Sequence, residues 1–208
     1  MSSPAPLSLP KSLPVMVLAG CTLFPHSMMP LYLFEPRYRE MLSFALRTDR
    51  MFGMANLDAT GSWQEEDETD DKISKCMTAG VVRACVGQPD GTSRLMLQGI
   101  SRVRVTGWEQ KRPFRIAFIQ PVRTVIGNVA ENAQLSARLL RIVLEIIQGS
   151  GPSAAPLAEQ LKGLKDPEVL SDFVAANFLR EPGERQQALE LDELGPRLHF
   201  LLGRLGQS

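Results

Sequence analysis

The sequence is poor in the residues that bind metals or cross-link a chain. Its 208 residues include three cysteines and two histidines. Cys21, Cys76 and Cys85 form no CxxC pair, and neither His26 nor His199 lies at metal-ligand spacing from any of them. An odd number of widely spaced cysteines is typical of reduced thiols in an intracellular protein. We therefore expect neither a disulfide framework nor a metal site.

Long apolar runs and an excess of one charge are also missing. No stretch reaches the roughly 18 uncharged apolar residues that a membrane-spanning helix needs. Lysine and arginine number 23, as do aspartate and glutamate, so the formal net charge is zero. Such a chain has no global field that draws it to nucleic acid or to anionic membrane. The hydrophobic fraction of 44% is ordinary for a globular protein, and we expect no membrane partner.

Signatures of nucleotide binding and of catalysis are absent from the sequence. No GxxxxGKS or GxxxxGKT phosphate loop occurs, and the glycine pair at 149 and 151 is too closely spaced to form one. Ser43 and Ser171 have no histidine or lysine partner that the sequence identifies, and a nucleophile needs a base within hydrogen-bonding reach. The sequence thus predicts no catalytic residue and no cofactor, in a protein that is not an enzyme.

Residues 18–21, Leu-Ala-Gly-Cys, resemble the cleavage site of a bacterial lipoprotein. The stretch before Cys21 carries a single charge, Lys11, and four prolines interrupt it, while the apolar run continues beyond the cysteine. A cleaved leader has a charged start and an uninterrupted apolar core. We therefore favour a cytoplasmic protein in which Cys21 is part of the fold.

The segment 13–38 is apolar and punctuated by prolines. Proline fixes φ and lacks a backbone donor, which favours short extended runs over one long helix. Residues 13–18 and 28–34 are predicted strands, with a turn region at 20–27. A helix is expected next, with Glu35 near its cap, Pro36 in its first turn and one apolar face made of Tyr38, Met41, Leu42, Ala45 and Leu46.

Predicted strands precede predicted helices along the rest of the chain. Strands are expected at 51–57, 73–86, 94–105 and 114–125, where Arg102 to Val105 alternates polar and apolar as a half-exposed strand does. Helices are expected after about residue 128, from Asp166-Pro167 to a stop at Pro182-Gly183, at 184–191 and at 195–205, with a break at 149–156. This order indicates an α+β fold. We divide it into a flexible leader at 1–12, a β subdomain at 13–126 and a helical subdomain at 127–208.

Three blocks of the sequence resemble the Lon protease amino-terminal family, also called the LON substrate-binding domain. The first contains Leu13-Pro14, Leu23-Phe24-Pro25, Pro30-Leu31 and Phe34-Glu35-Pro36-Arg37-Tyr38. The second contains Gly80, Asp90-Gly91 and Gly99-Ile100-Ser101-Arg102-Val103. The third contains Asp166-Pro167, Leu170, Asp172-Phe173, Ala175 and Arg197-Leu198. The order and spacing of the blocks, over nearly the whole chain from Leu13, make the resemblance specific.

The resemblance implies a PUA-like β-pseudobarrel with one early helix, followed by a C-terminal α-helical bundle. It also implies a bacterial recognition module for protein or peptide clients, lacking the ATPase and peptidase domains of Lon, with a separate protease or chaperone as a further partner. His26 departs from the family, which often has glycine after Leu-Phe-Pro. A side chain at this position makes a left-handed turn conformation less favourable.

The methionines suggest where clients bind. Eight lie in the β-rich half of the chain: Met16, Met28, Met29, Met41, Met51, Met54, Met77 and Met96. Methionine adapts to varied apolar partners, but it also fills irregular gaps in cores, and the sequence leaves both interpretations open. For a peptide-binding site, the candidates are Met28, Met29, Leu31, Tyr32 and Phe34.

A basic segment supports RNA binding as the alternative. Residues 94–123 contain seven basic residues and one acid, with Trp108 and Phe114 among them. Basic side chains neutralise phosphates and aromatic rings stack on bases. The RNA-binding candidates are Arg102, Arg104, Lys111, Arg112 and Arg115. Residues 58–71, however, form a predicted solvated loop with seven acids and no base, and its charge roughly cancels that of the basic segment, which favours a protein client.

Overall fold

The computed structural model describes residues 8–57, 69–109, 112–149 and 155–206. Within these ranges the chain forms six strands with one early helix, and then five further helices. The β part consists of β1 Ser12–Ala19, β2 Met28–Leu33, α1 Pro36–Arg47, β3 Met51–Leu57, β4 Cys76–Gly87, β5 Ser93–Glu109 and β6 Arg115–Pro121. The helical part consists of α2 Val129–Gly149, α3 Ala155–Gly163, α4 Pro167–Phe178, α5 Pro182–Glu190 and α6 Leu194–Leu205.

The six strands form one sheet that closes on itself through β5. The strand order is β2-β5-β4-β3-β1-β6, and β6 pairs with β5 as well as with β1. β1 and β3 run parallel, and the other pairs are antiparallel. β5 has 17 residues, pairing with β2 along 93–98 and with β6 along 103–109. The predicted α+β class, a PUA-like pseudobarrel followed by a helical bundle, is confirmed.

β1 is buried on both of its faces, which explains its continuous apolar sequence. Leu13, Val15 and Val17 pack in one apolar cluster of the β part, and Met16 packs in the other, which α1 covers. The covering face of α1 is the predicted one, with Tyr38, Met41, Leu42 and Ala45 buried and Leu46 partly buried.

The start of α1 also matches the expectation. Pro36 is in the first turn and Glu35 is the N-cap residue, but the Glu35 side chain makes no capping bond. Its Oε2 instead accepts a hydrogen bond from Nε of Arg37 at 2.9 Å. The hydroxyl of Tyr38 donates to the carbonyl oxygen of Val17 at 2.7 Å, and the backbone N–H of Val17 donates to that hydroxyl at 3.3 Å. These bonds hold the helix start against β1.

The turn before β2 docks on β5. His26 adopts φ 64°, the left-handed conformation that its side chain disfavours, and its backbone N–H donates to the carbonyl of Gly99 at 3.0 Å. A Cβ at Gly99 would lie 2.0 Å from the carbonyl oxygen of Phe24. Glycine at 99 therefore permits the close approach of the turn, and the left-handed geometry persists despite the histidine.

The helical bundle corrects two details of the sequence interpretation. α3 Ala155–Gly163 begins inside the stretch predicted to be a break, and Leu161 in its last turn is fully buried. Pro182 does not end α4, which stops at Phe178; it occupies the first turn of α5. Proline suits that position because the first N–H groups of a helix have no intrahelical acceptor. The predicted cap of α4 is correct, with Asp166 Oδ1 accepting from the Glu168 N–H at 2.8 Å.

The barrel and the bundle share a polar junction. The thiol of Cys76 on β4 donates to the carbonyl of Leu189 at 3.6 Å, and Nε2 of Gln186 donates to the carbonyl of Cys76 at 2.9 Å. Leu9 packs against the barrel core, and residues 1–7 of the predicted leader lie outside the described residues. The division into subdomains at 126/127 stays a prediction.

Candidate binding surface

β2 lies at the end of the strand order and has one neighbour in the described sheet. Its side chains alternate, as those of a strand packed on one face do. Met28, Pro30 and Tyr32 are exposed, whereas Met29 and Leu31 pack against the core that α1 covers. Of the five predicted peptide-binding residues, Met28, Tyr32 and Phe34 are thus 50%, 49% and 59% exposed, and the other two line the inner side.

The register of the sheet adds residues of β5 and β4 to the exposed side of β2. Tyr32 of β2 pairs with Arg94 of β5, and Arg94 pairs on its other side with Val86 of β4. Pro30 pairs with Met96, which pairs with Ala84. We call the surface formed by Met28, Pro30, Tyr32, Ala84, Val86 and Met96 the apolar face. Val86 is 61% exposed and lies 54 positions after Tyr32 in the sequence. Only strand pairing brings the two residues onto one surface, so no local sequence pattern could predict that they lie together.

The apolar face has a shallow depression and an aromatic edge. The depression has a volume of about 400 Å³ and lies among residues of all three strands. The rings of Tyr32 and Phe34 are 5.9 Å apart, and the guanidinium of Arg94 lies 5.4 Å from the centre of the Tyr32 ring. Exposed apolar side chains gathered on one surface are typical of a site that binds another molecule.

Most of the methionines fill the core. Met16, Met41, Met51, Met54 and Met77 are buried, and Met29 is partly buried, with its sulfur 3.8 Å from the Sγ of Cys21. Met28 and Met96 are the two that reach the apolar face. Of the two interpretations that the sequence left open, core filling therefore describes most of these residues.

The RNA-binding candidates do not form a shared surface. Arg102 is buried, with 2% of its surface exposed, and is held in an ion pair by Asp172, so it cannot contact a nucleic acid. The polar–apolar alternation of residues 102–105 predicted a strand with one exposed side. This prediction is wrong for Arg102, because the helical bundle covers that side of β5. Arg104 pairs with Asp192 at 2.7 Å, and Arg115 pairs with Asp70.

The two remaining RNA-binding candidates are Arg112 and Lys111. The guanidinium of Arg112 lies 4.4 Å from the centre of the Phe44 ring, so it stacks on α1. Lys111 lies outside the described residues. Acidic partners therefore offset the positive charge of Arg102, Arg104 and Arg115, and the structure offers no support for RNA binding.

Burial makes two of the cysteines poor nucleophiles. It raises the pKa of Cys76 to about 11 and also raises the pKa of Cys21, although Arg185 opposes the latter shift. A thiol with a raised pKa is rarely ionised at neutral pH. Among the described residues, no group of three histidine, cysteine, aspartate or glutamate side chains could hold a metal ion, and no helix is long and apolar enough to cross a membrane.

Comparison with protein families decides the assignment. The model for the ATP-dependent protease La (LON) substrate-binding domain matches residues 12–207. The chain belongs to the LON substrate-binding domain family.

Curated relatives of this LON domain are full Lon proteases. The Lon protease of Trichlorobacter lovleyi is 27% identical over 195 residues, which cover 92% of this chain and 23% of that protein. The Lon protease of Phenylobacterium zucineum is 27% identical over 206 residues, which cover 96% of this chain and 25% of that protein. The LON domain described here spans about a quarter of the length of these relatives.

Solved structures show the same fold. The N-terminal domain of the Mycobacterium avium complex Lon protease matches with a TM-score of 0.77 at 16% identity, over 94% of this chain and 98% of that one. A Lon N-terminal domain protein from Xanthomonas campestris matches with a TM-score of 0.62 at 20% identity, over 92% and 97% of the two chains. The matched structures are N-terminal domains and not protease domains.

Proposed function

We propose that this LON domain is a non-catalytic recognition module that binds unfolded or degron-bearing protein segments through the apolar face. The family assignment supports a substrate-recognition role. The observation that carries the location is the clustering of exposed Met28 and Tyr32 on β2 with exposed Val86 on β4, and Met96 of β5 lies between the two strands. A client whose apolar side chains cover this surface removes it from water, which favours binding.

The same proposal includes a further partner. The matched relatives are proteases of which this chain resembles the substrate-binding part. We propose that bound clients pass to a separate protease or chaperone in the cytoplasm.

Equilibrium binding of a permanently unfolded protein tests the location. A reduced and carbamidomethylated protein, labelled with a fluorophore, is titrated with the wild type and with the double variant Tyr32→Ser/Val86→Ser, using anisotropy as the readout. Loss of the apolar contact between the client and the side chains of Tyr32 and Val86 should weaken binding by about 1–2 kcal/mol, or roughly tenfold.

Phe118→Ser is the matched control, because Phe118 on β6 is 47% exposed and lies outside the apolar face. It should bind like the wild type. Equal affinity of all three proteins would refute the apolar face as the site, as would an equal loss in the control. Circular dichroism of each variant checks that the fold is intact.

A further inference from the structure

Two arginines lie on the apolar face, and the structure of the sheet puts them there. A register shift between Val82 and Ala84 in the β4–β5 ladder marks a β-bulge, in which Arg83 and Ala84 are both exposed. A bulge redirects side chains in this way because it inserts an extra residue into one strand. Arg94 reaches the same surface from β5, opposite both Tyr32 and Val86.

Neither guanidinium has a carboxylate partner within the part of the chain that the structure describes. Nε of Arg83 donates to the side-chain oxygen of Gln98, and Arg94 lies over the ring of Tyr32. Asp90, in the turn between β4 and β5, accepts instead from the backbone N–H and the hydroxyl of Thr92, at 2.9 and 2.7 Å. The apolar face therefore presents two unneutralised positive charges.

Three other arginines of the β part differ from these two. Arg102, Arg104 and Arg115 each pair with an aspartate of the same chain. The chain as a whole is neutral. Local positive charge on the apolar face is thus a property of that surface and not of the whole protein.

We propose that the apolar face selects client segments in which aspartate or glutamate accompanies apolar side chains. The inference rests on the proposed function, in which apolar side chains of the client bind to the apolar face. A guanidinium binds a carboxylate through two parallel N–H donors. Arg83 and Arg94 lie three residues apart in the β4 register, roughly 10 Å along the sheet, so they flank the apolar side chains. Charge complementarity of this kind discriminates between partners more than it raises total affinity.

Matched peptides test this selection. Three fluorescein-labelled peptides share the same leucine and phenylalanine positions and differ at two positions three residues apart, about 10 Å in an extended chain, which carry glutamate, glutamine or lysine. The proteins are the wild type, Arg83→Gln/Arg94→Gln, and Arg138→Gln/Arg141→Gln. Arg138 and Arg141 are exposed on α2, so the last variant has the same loss of charge away from the face.

The wild type should bind the glutamate peptide about fivefold more tightly than the glutamine peptide, since two exposed ion pairs contribute roughly 0.5 kcal/mol each. The preference should shrink with added salt, which screens exposed charges. It should vanish in Arg83→Gln/Arg94→Gln and persist in Arg138→Gln/Arg141→Gln.

Equal affinity of the wild type for the glutamate and glutamine peptides would overturn the inference and leave the proposed function intact. Loss of the preference in both double variants would also overturn it, because net charge would then be the cause. If Tyr32→Ser/Val86→Ser bound every peptide like the wild type, the proposed function itself would fail, and the inference with it. A single-stranded RNA that displaced the glutamate peptide at equal concentration would assign the two arginines to phosphate and refute the inference.

Discussion

Arg102 of β5 and Asp172 of α4 form a buried two-point ion pair across the junction of barrel and bundle. Nη1 of Arg102 donates to Oδ2 of Asp172 at 2.8 Å, and Nη2 donates to Oδ1. Nη1 of Arg197 on α6 donates to the same carboxylate at 3.2 Å. Burial, followed by the charge of Arg102, lowers the pKa of Arg197 to about 10, so the Arg197 guanidinium stays charged at neutral pH. One carboxylate therefore serves two buried cations.

Asp172→Asn should destabilise the protein by about 3–5 kcal/mol, because it removes the buried carboxylate that pairs directly with both Arg102 and Arg197. Urea unfolding followed by circular dichroism measures the change. Asp192→Asn is the control, since the Arg104–Asp192 pair is 48% and 36% exposed. An exposed pair contributes about 1 kcal/mol or less. Similar losses in the two variants would contradict the special role of Asp172.

The thiol of Cys76 should make stability fall in mild alkali. Burial raises its pKa from 9.0 to about 11, so between these values the folded protein holds a proton that the unfolded chain has released. The stabilisation that the protonated thiol provides is complete below pH 9 and is lost as the pH rises toward 11. The loss in the free energy of unfolding amounts to about 1 kcal/mol by pH 10. The wild type should therefore lose more free energy of unfolding between pH 8 and 10 than Cys76→Ala. Parallel pH profiles would show that this thiol is not responsible.

Tyr38→Phe should cost about 1–3 kcal/mol, because it leaves the backbone N–H and carbonyl of Val17 buried without their partner. Thermal and urea unfolding give the measurement. Tyr32→Phe makes the same chemical change at a side chain that is 49% exposed, and it should leave stability within about 0.5 kcal/mol of the wild type. A neutral Tyr38→Phe would mean that water or another group replaces the hydroxyl.

His26→Gly should stabilise the protein by about 0.5–1 kcal/mol, because glycine adopts a positive φ without the steric cost that a side chain incurs. The backbone bond from residue 26 to Gly99 is unchanged by this substitution. His26→Ala keeps a Cβ in the same conformation and should give no gain. If both variants were stabilised alike, loss of the imidazole and not relief of backbone strain would be the reason.

Local patterns predicted the elements whose structure depends on neighbouring residues. The bounds of β3 and the cap of α4 at Asp166 follow from strand composition and from cap chemistry. α3 was missed because the glycines and prolines before it indicate a break, while the burial of Leu161 that stabilises it depends on other helices. The role of Pro182 was wrong because proline can follow one helix or begin another, and only the position of α5 distinguishes them.

The candidate site was predictable in part. Met28, Tyr32 and Phe34 stand out as apolar residues near the prolines, and the structure leaves them exposed. Strand register, which no local pattern determines, adds Val86 and Met96 and turns Met29 and Leu31 inward. Arg102 was misjudged for a related reason, since an alternating strand shows which residues share a side but not which side another subdomain covers.

Methyl NMR of the methionines tests the recognition site most directly. The protein is labelled at the methionine methyl groups and titrated with the unfolded, carbamidomethylated protein. We predict that the Met28 and Met96 resonances shift or broaden, because these residues lie on the apolar face, while the resonances of the buried Met41, Met54 and Met77 stay unchanged. Binding that left Met28 and Met96 unperturbed would place the site elsewhere and contradict the account.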